Sequence, residues 1–290
     1  MSAIAAEDRV PERGDTCFRD YILTEYTPVC DPAGRLRAES IYRWALRRQG
    51  ILDEAWPAVE ALRTHLGQDQ TVWGVKWGAA GFTSELYFYN NALNPPGHPM
   101  QVTALTAVLK PWLAIDTVMD ESLPYFMCSI DLDAPTLASE AVGWHIYLGS
   151  GDKNRVQCGF SYLVHGVHHQ LENHYWFYSP KTQLDDVRGR LYNSPRFRSP
   201  AFARLIPEYL LDCETICIAV KPRHDCIYTA RITTAQLLRF LEENKVAELA
   251  ALFAHHPDDF AHLRWDLGYD VTLDDNGDEL IEKVGIYGVL

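Results

Sequence analysis

Three lysines, one arginine and a recurring tyrosine are the residues of this 290-residue chain whose types and spacing suggest chemistry. Lys76, Lys221 and Lys283 each lie in a stretch where apolar and polar residues alternate, so all three project from the polar face of a strand. Arg231 follows three residues after Tyr228. Tyr89, Tyr147, Tyr178, Tyr228 and Tyr287 close the second arms of successive strand pairs, with Tyr87, Trp176 and His174 beside them. Clustered cations bind an anion, and aromatic faces stabilise a cation. Glu85, Asp131 and His145, with His174 and Asp270 also on the inner face by alternation, are candidates for moving a proton. Asp131 and His145 are favoured because both lie in one hairpin, where they can be cross-strand neighbours.

These residues are carried by a strand, turn and strand unit ending in Tyr and repeated five times. The first copy is VWGVKWGAAGFTSELYFYN (72–90), in which Trp73, Val75 and Trp77 oppose Gly74, Lys76 and Gly78. In its return arm Leu86 and Phe88 oppose Glu85, Tyr87 and Tyr89. In the second copy Cys128, Ile130 and Leu132 oppose Ser129 and Asp131, then Trp144, Ile146 and Leu148 oppose His145 and Tyr147. The third (158–180) sets Phe160, Tyr162 and Val164 against Ser161 and Leu163. Its return arm sets Tyr175 and Phe177, as the apolar face, against His174, Trp176 and Tyr178. The fourth places Ile216, Ile218 and Val220 against Cys217, Ala219 and Lys221, and the fifth turns at Asp-Asp-Asn-Gly (274–277).

Helical periodicity covers 36–66, where Gly50 and Pro57 imply two shorter helices, and then 99–115, 181–192, 199–211, 233–243 and 245–264. The link from Leu148 to Val156 is too short for a helix. Ten antiparallel strands with one apolar and one polar face must cover the apolar face, and the helices can do so from outside. Closure removes the exposed edges and turns the polar face inward. The expected fold is therefore α+β: a closed ten-stranded antiparallel β-barrel with a polar lumen, ringed by α-helices. A lumen too wide for side chains to fill would be a ligand chamber. Residues 1–35 read as a polar lead-in and 36–290 as a single barrel domain.

The net charge of −13 argues against a broad nucleic-acid surface. No apolar run approaches the roughly 18 residues of a membrane span. The N-terminus lacks the basic start and apolar core of a signal peptide, and the seven cysteines form no C-x-x-C pair, so a cytoplasmic protein with reduced thiols is expected.

Five hairpins interleaved with helices resemble the ABBA family of soluble aromatic prenyltransferases over most of 36–290. The resemblance rests on pattern and on no single diagnostic peptide. It implies transfer of an isoprenoid from an allylic diphosphate to an electron-rich aromatic acceptor, an indole, a phenol or an aromatic peptide side chain, in secondary metabolism. It implies diphosphate binding by Lys76, Lys221, Lys283 and Arg231. It also implies a cation shield and substrate-binding surface of Tyr87, Tyr89, Tyr147, Trp176, Tyr178, Tyr228, Tyr287 and His174, with proton transfer by Asp131, His145 or Glu85. No tightly bound cofactor is implied, although Mg2+ can accompany a diphosphate. The chain departs from the family where many members place a basic residue two positions before the strand-ending Tyr: here stand Tyr87, His145, Trp176, Cys226 and Gly285.

Two other features have simpler explanations. His165, His168, His169 and His174 with Glu172 could ligate iron or zinc in a metal-dependent enzyme, but their spacing matches no motif and His165 to His169 fall in a hairpin turn. Asp185-Asp186 opens a helix, where acids complement the dipole. A barrel that has lost diphosphate chemistry and only binds a small aromatic or lipid-like molecule is the competing reading. The charge of the lumen separates the two.

Overall fold

Where apolar and polar residues alternate, the chain forms strands that bury one face on helices and turn the other inward. The computed structural model describes residues 3–89, 98–152, 155–196 and 201–290. Asn90, which ends the first expected copy, and the start of the expected helix at 199–211 lie outside them. The strands are β1 (Val72–Gly78), β2 (Gly81–Tyr89), β3 (Tyr125–Asp131), β4 (Trp144–Asp152), β5 (Arg155–His165), β6 (His168–Tyr178), β7 (Ile216–Val220), β8 (Asp225–Thr233), β9 (Arg264–Leu273) and β10 (Glu279–Val289). All pair antiparallel with their sequence neighbours, and β1 closes on β10 with Val72 opposite Val289 and Gly78 opposite Lys283. The expected closed ten-stranded barrel is the observed one.

The helices are α1 (Glu39–Gln49), α2 (Leu52–Leu66), α3 (Val102–Leu109), α4 (Ala134–Leu137), α5 (Leu184–Tyr192), α6 (Phe202–Leu205), α7 (Thr234–Glu243) and α8 (Ala247–His255). The break between the first two falls at Gly50, whose φ of 74° suits a residue without Cβ. Pro57 lies inside α2 and does not end it. As expected, β4 and β5 pair with no helix between them.

The main core lies between helices and barrel. Tyr42 stacks on Trp73 with centroids 5.6 Å apart, Phe240 meets Tyr269 at 4.7 Å, and Trp265 is packed by Phe253 and Phe260. A smaller cluster fills the lumen side: Val72, Tyr87, Met127, Tyr147 and Tyr287. Among the described residues no helix is long and apolar enough to cross a membrane.

The segment before residue 36 packs on the barrel. Pro11 bridges to Leu36, Val29 N–H donates to the His262 carbonyl, and the Tyr21 ring enters the lumen.

Candidate active site at one mouth of the barrel

Register determines which side chains share the lumen. Glu85 stands opposite Asp131, Ser129 opposite His145, Tyr175 opposite Ala219, Cys226 opposite Asp270 and Lys283 opposite Asp270. Asp131 and His145 are thus diagonal rather than direct partners, and their side chains meet at 3.6 Å (His145 Nε2 to Asp131 Oδ2). At the same mouth lie Lys76, Lys221, Lys283 and Glu172.

Two like charges directly opposite on neighbouring strands repel unless cations flank them. Lys76 contacts Glu85, which also accepts from Tyr87 Oη at 2.7 Å and from Ser129. His145 bridges the other side, its Nδ1 2.7 Å from Glu172 Oε2. Burial opposes ionisation of Glu85, but Lys76, His145 and the hydrogen bonds from Lys76 and Ser129 hold its carboxyl below the usual range. Burial alone would lower the His145 pKa. Contacts with Asp131 and Glu172 and the nearby charge of Glu85 push it up to about 10, so at neutral pH the ring is an imidazolium.

A second group centres on Asp270. Lys221 Nζ lies 2.6 Å from Asp270 Oδ1, while His224 Nε2 at 3.0 Å and Lys283 Nζ at 3.5 Å face Oδ2. Burial resists the charge on Asp270, but the hydrogen bond from His224 and the charges of Lys221 and Lys283 hold its carboxyl well below the usual range. The Lys283 ammonium is itself pushed down, first by burial and then by the positive charge of Lys76, with Lys221 adding to it. Three lysines therefore feel one another across this mouth.

Below the charges the lumen is aromatic. Tyr87 meets Tyr287 at 5.8 Å, Tyr228 meets Tyr287 at 6.2 Å and Tyr147 meets Tyr175 at 5.9 Å. Tyr21, from outside the repeats, packs edge-on at 5.3 Å from Tyr87, 5.1 Å from Tyr287 and 6.0 Å from Tyr89. Room for the rings comes from inward-facing glycines: a Cβ on Gly268 would stand 2.6 Å from the Tyr228 ring. The tyrosines fill more of the lumen than its strand number alone implies. Tyr175 and Tyr228 keep partial exposure while facing inward, so some space remains beside them.

The structure separates several residues expected to act together. Trp176 pairs with Ile218 and His174 with Val220, and Ile218 belongs to the outer core, so both point out of the barrel. Trp176 lies under Arg190 of α5, His174 stacks on Phe160, and Tyr178 packs on the outer core. The lumen positions of β6 are instead Tyr175 and Phe177, whose partners Ala219 and Cys217 share the lumen side with Lys221. Both faces of β6 carry aromatics, and its return arm is offset by a bulge near Leu171 and Asn173, so the contrast of polar and apolar residues misassigned it. Arg231 also departs from the lysines. It lies within a bulge of β8 with φ of 63°, its Nε bonds Asp20 Oδ2 at 2.7 Å, and its N–H donates to Asp266. Asp266 also accepts from Tyr21 N–H at 2.6 Å, which anchors the segment closing the far end. Tyr89 lies at that end, beside Tyr21.

Residue types gave no sign of Tyr21, which lies in a segment without periodicity. Glu172 was visible only as a companion of the histidine run. That run does not gather: His168 and His169 are exposed, and His165 pairs with Asp116 at 3.2 Å. Among the described residues the group that could hold a metal is Glu85, Asp131 and His145, whose ligand atoms lie within 4.8 Å of one another. An imidazole with two carboxylates suits a transition ion better than Mg2+, which prefers oxygen ligands. Lys76 already satisfies Glu85, and the protonated His145 lies between Asp131 and Glu172, so it offers a metal no lone pair. Asp185 pairs with Arg188 at 2.8 Å on α5, outside the barrel.

The chain thus defines a class: a closed barrel of ten antiparallel strands with helices outside, the architecture that the sequence resemblance implies, here with a charged mouth above a tyrosine floor. Among solved structures it is similar to NotF prenyltransferase, with a TM-score of 0.49 and 10% identity, covering 76% of this chain and 80% of that one. It is also similar to AnaPT from Neosartorya fischeri, with a TM-score of 0.45 and 11% identity, covering 76% and 78%. No family model and no curated protein sequence matches the chain.

Proposed function

We propose that the chain transfers an isoprenoid group from an allylic diphosphate to an electron-rich aromatic ring. The observation that carries this reading is the convergence of Lys76, Lys221 and Lys283 on one mouth, above Tyr87 and Tyr287. Cations there offset the charge that develops on a departing diphosphate. In the proposed step the allylic C–O bond breaks and its electron pair leaves with the diphosphate. A ring carbon then attacks the allyl cation, and the new C–C bond leaves a proton to be lost. Tyrosine faces hold the cation and keep water from it.

In this reading Glu85 takes the proton. It lies where Lys76 meets Asp131 of β3 and His145 of β4, and its negative charge also favours the cation. An arenium ion is a strong acid, so a carboxylate of low pKa still accepts from it. His145 carries its own proton and serves to hold Asp131 and Glu172 in place.

A second reading has its own observation: each lysine already has a carboxylate, Glu85 for Lys76 and Asp270 for Lys221 and Lys283. In that reading the barrel binds an aromatic ligand without turnover. Incubation with dimethylallyl, geranyl and farnesyl diphosphates and a panel of indoles and phenols, read by mass spectrometry, separates them. Prenyl adducts with loss of diphosphate are expected. If no donor yields an adduct or released diphosphate, the transferase reading is abandoned and the binding one stands. Lys221→Met is expected to weaken donor binding about tenfold, the worth of one charge-assisted contact.

A further inference from the structure

Around the mouth the charges segregate by strand. From β7 through β8, β9 and β10 to β1 the mouth presents Lys221, Cys226, Asp270, Lys283 and Lys76, with Glu282 at the rim 3.7 Å from His224, three lysines against two carboxylates. From β2 round to β6 it presents Glu85, Asp131, His145, Leu163 and Glu172, three carboxylates against one imidazole. The ion pair between the two arcs is that of Lys76 with Glu85, at the seam of β1 and β2. Two half-rings of opposite sign therefore face each other across one opening, and a low-dielectric wall between them sustains that field.

This arrangement matters for the acceptor. A diphosphate belongs on the lysine arc, which leaves the acidic arc for the second substrate. Asp131 has spare capacity: its side chain is 41% exposed, and its ion pair is the 3.6 Å contact with His145. Glu172, 25% exposed, stands on the other side of the same ring. A neutral or anionic acceptor would leave these carboxylates unused or repel them, whereas a cation satisfies them.

We infer that the acceptor is an aromatic amine bound as its cation, with the ammonium held by Asp131 and Glu172 and the ring lying toward the tyrosines. The inference rests on the transferase reading for the word acceptor, but its test reads binding alone. Tryptamine, 3-ethylindole and indole-3-propionate present one ring with a cationic, a neutral and an anionic tail. Each is titrated calorimetrically into the full chain at neutral pH, in EDTA and again in millimolar magnesium.

Tryptamine is expected to bind about tenfold tighter than 3-ethylindole, the worth of one charge-assisted hydrogen bond, with indole-3-propionate weaker than both. In the double variant Asp131→Asn/Glu172→Gln the tryptamine advantage is expected to fall below about threefold while 3-ethylindole binds as before. Should that variant fail to fold, Asp131→Asn alone, at the more exposed position, is expected to cut the advantage by about threefold or more. Equal binding of the three indoles, an anion preference, or an advantage that survives Asp131→Asn overturns the inference. So does an advantage seen only with magnesium, which would assign the acidic arc to a metal. Absence of prenyl adducts with every donor sinks the transferase reading and leaves this charge preference to stand or fall by its own titrations.

Discussion

Glu85 and Asp131 stand directly opposite each other on β2 and β3, two carboxylates on one lumen face, with Lys76 on one side and His145 on the other. Their repulsion is contained by those two cations, so the mouth behaves as one coupled unit. Removing a single member exposes the rest.

Lys76→Met leaves Glu85 buried without its cation. Breaking a buried pair by deleting one partner costs about 3–5 kcal/mol, whereas removing both charges is often close to neutral. Urea unfolding is expected to show Lys76→Met destabilised within or just below that range, and Lys76→Met/Glu85→Gln largely restored. A double variant no more stable than the single one would mean that Lys76 does not act through Glu85.

His145 gives the stability a pH dependence. Its folded pKa, about 10, lies above the unfolded value of 6.5. The folded state thus binds the proton more tightly, and the stabilisation is complete below pH 6.5 and lost as pH rises through about 10. Compared with His145→Gln, the wild-type chain is expected to lose an advantage of up to about 5 kcal/mol across that window. Parallel urea midpoints for the two proteins measure it, and a constant gap would show that His145 does not carry the proton.

Tyr21 closes the far end of the lumen through its ring contacts and through its N–H to Asp266. Tyr21→Ala removes an aromatic ring from a packed cluster and is expected to cost about 2–4 kcal/mol, less than a fully buried aromatic because Tyr21 keeps some exposure. Hydrogen exchange of the amides in residues 19–25 should accelerate in this variant while those of β3 and β4 do not. Unchanged exchange in 19–25 would show that the segment is held by Asp20 and Arg231 without the ring.

Gly268 and Tyr228 are matched in space. A Cβ at 268 would lie 2.6 Å from the Tyr228 ring, so Gly268→Ala is expected to destabilise by about 1–3 kcal/mol through overpacking. Combined with Tyr228→Ala, the alanine at 268 should cost less than it does alone, a coupling that a double-mutant cycle in thermal unfolding reads out. Strict additivity would place the cost of Gly268→Ala elsewhere.

Most strand faces were legible because a period of two needs only a contrast between neighbours. In β1, Trp73 and Val75 against Gly74 and Lys76 give that contrast, and Ile216 and Ile218 of β7 against Cys217 and Lys221, the residue just past its end, do the same. On β6 the contrast fails: Tyr175, Trp176, Phe177 and Tyr178 are all aromatic. There only the register against Ala219 and Ile218 shows which two face inward.

The amino-acid sequence by itself determined the repeated strand pairs, the helices between them, the closed barrel and the inward placement of Lys76, Lys221 and Lys283. Local alternation and helical spacing carry that information, and both are written in consecutive residues. Tertiary structure alone decided which charges neutralise which, that Arg231 turns to Asp20, and that Tyr21 plugs the far end. It also decided that the mouth divides into a basic and an acidic half. Those facts depend on contacts between residues as far apart as Tyr21 and Asp266, or Lys221 and Asp270, which meet only when the ten strands close.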